Sequence, residues 1–122
     1  MTKTELEHAH MVMNLAKPGE DIMTGLNPIK ADMIHAAIGI SGEAGELLDA
    51  IKKHVIYNKP LDFMNVVEEL GDLEFYLAQL RFNLGIGRGE TLKHNMNKLE
   101  KRYGGSYSDA AAQARADKEE VK

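Results

Sequence analysis

The stretch that most constrains this chain runs from Leu61 to Leu84, where leucines recur at helical spacing. Taking about 100° per residue and Glu69 as zero, Val66, Leu70, Leu73, Leu77, Leu80 and Leu84 fall between roughly 20° and 100°. They form one unbroken apolar stripe along a long helix. Such a helix cannot bury its stripe alone, so it needs other elements to pack on.

The rest of the chain offers helices too. "TKTELEHAHMVMNLAK" predicts a first helix, ended by "PGED". In "GLNPIKADMIHAAIGISGEAGELLDAIKKHVIY", Asn27 can cap and Pro28 can take the first helical position. That helix should stop at "NKP", because Pro60 disfavours helix at Lys59. The leucine helix ends at "GIGRG". A fourth is expected from about Glu90 to Tyr103, stopped by Gly104 and Gly105. The tail "SDAAAQARADKEEVK" reads as a further, alanine-rich helix. At 122 residues the chain suits one domain, residues 1–122. The expected fold is all-α and four-helix-bundle-like, with extra terminal pieces.

Composition narrows the function. The absence of cysteine rules out disulfides and thiolate metal sites. No apolar run approaches the roughly 20 residues a membrane span needs, and "MTKTELEHAH" lacks the apolar region of a signal peptide. A cytoplasmic protein with no membrane partner is the expectation. A net charge of −4 argues against binding a nucleic-acid polymer. It leaves room for a phosphorylated small molecule, since a metal can invert the sign of an acidic site.

Acids border the core of both central helices. Glu69 sits at the edge of the leucine stripe, and Asp72, Asn65 and Asn83 follow within about 60° on one side. On the preceding helix Glu43 edges a stripe of Ala44, Leu47, Leu48 and Ile51. Glu46, Lys53 and His35 lie within about 80° on one side of it. A lone E-x-x-E on a helix is ordinarily a solvated pair. Two acidic pairs on helices that pack together repel unless a cation neutralises them. All-oxygen ligation favours a hard ion such as Mg²⁺, or Mn²⁺ in its place. A di-iron bundle is not expected, because the central acidic pairs carry no E-x-x-H.

"GEAGELLDAIKK", then "NVVEELGDLEFYLAQL" and "NMNKLEKRY", resemble the MazG-type all-α nucleoside triphosphate pyrophosphohydrolases. That family's signature is E-x-x-E, a spacer, then E-x-x-D, here Glu43, Glu46, Glu69 and Asp72. The resemblance covers about Asn27 to Tyr103. It implies hydrolysis of a nucleoside or deoxynucleoside triphosphate to monophosphate and pyrophosphate. It also implies that the four acids are both Mg²⁺ ligands and the catalytic set, within a homodimer or dimer of dimers. By the same resemblance, Asn95, Lys98 and Arg102 form a row that meets phosphates, and Lys53 and His35 are further nucleotide contacts. A buried, hydrogen-bonded histidine is the plainer reading of His35, and core packing that of Tyr76. Gly39, Gly42 and Gly45 permit close approach of substrate or a neighbouring helix. Gly42 stands where some relatives have another glutamate. The same fold could instead act on dUTP or phosphoribosyl-ATP, and a non-catalytic helical interaction module is the alternative of another class.

Overall fold

The computed structural model describes residues 1–104 and 108–114, and among these every regular element is a helix. They are α1 (Lys3–Leu15), α2 (Gly19–Gly25), α3 (Pro28–Val55), α4 (Phe63–Leu84), α5 (Arg88–Tyr103) and α6 (Asp109–Ala114). The all-α expectation is met. Of the tail helix expected after Ser108, the part beyond Ala114 lies outside the described residues.

Local chemistry sets the boundaries. Thr2 and Glu5 form a reciprocal capping box at the start of α1: Thr2 N donates to Glu5 Oε2 at 2.6 Å, and Glu5 N to Thr2 Oγ1 at 3.1 Å. The Thr2 backbone N–H, and after it the Thr2 hydroxyl, favour the Glu5 carboxylate and hold it below its ordinary pKa. Asn27 Oδ1 accepts from Lys30 N at 2.8 Å, with Pro28 at the first position of α3. Asp62 Oδ1 accepts from Asn65 N at 3.1 Å, so α4 starts at Phe63 rather than Leu61. Gly85 and Gly104 close α4 and α5 with φ of 68° and 60°, the left-handed conformation that glycine adopts without strain.

Helix α2 is not among the expected elements. "PGED" does more than stop α1: Pro18 N-caps a new helix whose first turn carries Glu20 and Asp21. Acids there complement the positive end of the helix dipole.

Packing within the chain is uneven. Helices α3 and α4 lie against each other along their length, joined by residues 56–62, whereas the one other extended helix contact among the described residues is a short one between α5 and α6. Asn58 turns the hairpin loop with φ 55°, a conformation asparagine tolerates. Lys59 N then donates to the Lys53 carbonyl at 3.2 Å, and His54 Nδ1 bonds the Lys59 carbonyl at 2.8 Å.

The α3 side of the seam is marked by buried Ala36 and Ala50, with half-buried Gly39, Ile40, Glu43 and Leu47 between them. On α4 it runs through Val66, Glu69, Leu73, Tyr76 and Leu80, all half-buried. The seam thus spans the acidic edge of the leucine stripe, leaving Leu70 and Leu84 at 46% and 49% exposed. Four helices do not close around a shared core within one chain. A folded monomer of 13.5 kDa exposes about 6,500 Å², whereas this chain exposes 9967 Å². No helix among the described residues is long and apolar enough to cross a membrane.

Candidate metal centre

The seam carries its acids at mid-length. Glu43 projects from α3, while Glu69 and Asp72, one turn apart, project from α4. One carboxylate oxygen from each lies within 4.8 Å of the others. Two helices in antiparallel register therefore bring both acidic segments together. Glu46 stands outside this cluster, yet its charge acts on Glu69.

Glu69 is the most perturbed of the four. Its Oε2 is shut off from solvent and has no hydrogen-bond partner. The nearby Glu43 carboxyl can share a hydrogen bond with Glu69 only while one of the two holds a proton. That bond, followed by desolvation and the charges of Glu46, Glu43 and Asp72, pushes Glu69 up to about 7. Every one of these influences raises the pKa, and no cation opposes them. With all the acids ionised, a buried oxygen lacks a donor and three like charges crowd it. An ion bound between them would relieve both conditions, so the donor set fits a divalent metal of the oxygen-seeking kind.

Neighbouring residues separate into those the fold brings to the acids and those it does not. Gly39, one turn before Glu43, receives the ring of Tyr76, one turn after Asp72; a Cβ on Gly39 would overlap that ring. Gly42 and Gly45 face open space, so close approach within the chain applies to Gly39 alone. Tyr76 is indeed a packing residue. His35 is exposed rather than buried, and no side-chain hydrogen bond anchors it; its ring stands edge-on to Tyr76 with centroids 6.1 Å apart. The plainer reading of His35 is therefore corrected: it is an exposed residue at the edge of the seam, beside Tyr76 of α4.

Lys53 pairs with Asp49 at 3.0 Å on the exposed side of α3 and also borders a cavity at the loop end of the seam. Asn95, Lys98 and Arg102 ride on α5, which has no extended contact with α3 or α4. The chain by itself does not lay this row along the acidic seam. Lys98 and Arg102 are half-buried, and the Arg102 guanidinium lies 5.9 Å from the Tyr103 ring centroid. Lys59, on the hairpin loop, lines the same cavity as Lys53 and was missed by the sequence reading. Helical periodicity says nothing about loop residues, so no signal marked it.

Comparison with known proteins agrees with this geometry. The family model described as MazG nucleotide pyrophosphohydrolase domain matches residues 35–105, a span holding all four acids, Lys53 and the α5 row. The chain is also similar to the Gene 37 protein of Mycobacterium phage L5, 34% identical over 74 residues. That match covers 56% of this chain and 63% of the phage protein, so the chain spans less than two thirds of its relative's length. No solved structure matches the chain.

Proposed function

The chain belongs to the MazG nucleotide pyrophosphohydrolase family, and from that premise we propose that it hydrolyses nucleoside or deoxynucleoside triphosphates to the monophosphate and pyrophosphate. The observation that carries this reading is the buried, donorless Glu69 oxygen clustered with Glu43 and Asp72. An enzyme of polyphosphates needs such an acid-lined ion site, whereas a helical adaptor gains nothing from it. Glu43, Glu69 and Asp72 hold Mg²⁺, or Mn²⁺ in its place, and Glu46 completes the set. The chemistry such an ion supplies is charge neutralisation on phosphoryl oxygens and a lowered pKa for water.

The reaction itself is a displacement. A water oxygen forms a bond to the α-phosphorus, the bond from that phosphorus to the bridging oxygen breaks, and pyrophosphate leaves. A carboxylate of the cluster orients the water and takes its proton. That acceptor is whichever acid of the cluster keeps an oxygen free beside the water. Lys53, His35 and the row Asn95, Lys98 and Arg102 contact the nucleotide.

Because α5 stands apart from the seam, its row reaches the phosphates only if a second chain supplies it or the assembly folds α5 inward. The exposed leucines of α4 favour assembly as a homodimer or dimer of dimers, which would bury them. The working compartment is the cytoplasm.

The test is release of monophosphate and pyrophosphate from the common NTPs and dNTPs, with dUTP and phosphoribosyl-ATP in the panel, comparing wild type with Glu69→Gln. Release by the wild type and its loss in the variant supports the reading and ranks the substrates. A folded, Mg²⁺-loaded wild type that releases no pyrophosphate from any of them refutes it.

A further inference from the structure

A cavity of about 290 Å³ opens at the loop end of the hairpin, lined by Ala50, Lys53, Lys59, Pro60, Asp62 and Asn65. Its size is near the lower bound for small-molecule sites, roughly 300 Å³. Its position is defined by helical register. Asn65 precedes Glu69 by four residues and Ala50 follows Glu43 by seven, so the cavity begins about 6–10 Å along the seam from the acids.

The polar groups around it are not equivalent. Lys53 is matched by Asp49 at 3.0 Å, and Asp62 spends an oxygen on the Asn65 amide. Lys59 makes no ion pair among the described residues, and its place is fixed through its backbone by Lys53 and His54. A lysine without an acid partner, held at the rim of a cavity one turn from an ion site, suits an anion that extends from that site. The opposite direction along the seam is closed by Tyr76 on Gly39 and offers an aromatic face instead.

We infer that this cavity seats the terminal phosphates of the substrate, and hence the departing pyrophosphate, with Lys59 as their counter-charge. The inference rests on the proposed hydrolysis and adds a direction to it. The phosphate tail points towards the hairpin loop, and the nucleoside lies on the Tyr76 side.

Binding of inorganic pyrophosphate with Mg²⁺, followed by calorimetry, tests it in wild type and Lys59→Gln. The substitution leaves the backbone bonds of Lys59 in place. Pyrophosphate should bind about tenfold more weakly to the variant, and Lys59→Arg should recover most of the loss. Nucleoside monophosphate binding should stay within twofold. In turnover, KM for the triphosphate should rise while kcat changes little. Asn65→Leu, which alters the cavity wall without touching the backbone cap, should weaken pyrophosphate binding as well. Unchanged pyrophosphate affinity in both variants overturns the inference, as does an equal loss for monophosphate. Binding is read without turnover, so a wild type inert towards nucleotides sinks the hydrolysis while the cavity is still judged by pyrophosphate.

Discussion

The α3–α4 hairpin and the helices flanking it use their apolar residues in different ways. In the hairpin, the two helices meet along an edge that includes Glu43 and Glu69, and the buried side chains are limited to two alanines. In α1, α2 and α5 many large apolar residues stay exposed, Leu15 at 77% among them, and none of these helices packs along its length on the hairpin. The packed region carries a repulsive cluster along its seam, and its outer faces share with the flanks a surplus of exposed apolar surface, Phe82 at 86% among it. On the proposed function, chemistry would occupy the in-chain contact, and the proposed assembly would supply the stability that the contact lacks.

The comparison breaks most directly at the acids. Glu43→Gln should lower kcat/KM by about a thousandfold, equivalent to ~4 kcal/mol of transition-state stabilisation, while the metal-free variant melts higher than wild type at pH 7.5. Steady-state kinetics and thermal melts in chelator read both; a variant less stable without metal would show that repulsion is absent from the seam. The exposed apolar surface is tested by mass. Light scattering should give at least twice 13.5 kDa, and Leu70→Asp should shift the chain to monomer and partly unfold it. A stable, monodisperse wild-type monomer would mean that the exposed stripe needs no cover.

Smaller effects sharpen the same contrast. Gly39→Ala forces the Tyr76 ring away from α3 and should cost about 1–3 kcal/mol, whereas Gly42→Ala, facing open space, should be neutral or slightly stabilising through helix propensity. Urea melts of the pair separate the two. The smallest effect concerns pH. The folded-state pKa of Glu69 is raised from 4.5 to about 7, so the metal-free folded chain holds a proton that the unfolded chain has released in between. This contribution is fully present below about pH 4.5 and is lost as pH rises through 7. Melting temperature in chelator should therefore fall from pH 5.5 to 7.5, and Glu69→Gln should flatten that slope.

Much of this was legible in the residues. Asn27–Pro28 and Gly104 marked helix ends correctly, because caps act through local bonds. The pairing of Glu43 with Glu69 and Asp72 followed from two acidic spacings on neighbouring helices. Periodicity did not show which edge of the leucine stripe α3 would cover, since it reports a helix's faces and not its partners. It could not reveal the contact of Gly39 with Tyr76, which depends on interhelical register. The α5 row was readable as a row, yet its separation from the acids was not, because the turn after Gly85 sets the direction of α5. His35 shared a side with Glu43 on a helical wheel, but a wheel does not report depth.

The hairpin loop has one more consequence. Only residues 56–62 separate the two helices that pack, so their contact is local in sequence and cheap in loop-closure entropy. This pair is expected to form early and without help, within the microseconds typical of helical hairpins. Joining of chains is bimolecular and slower at low concentration. If the proposed assembly forms, a newly made chain passes first through a stage with its acids gathered and its leucines uncovered, and the time spent there shortens as chain concentration rises.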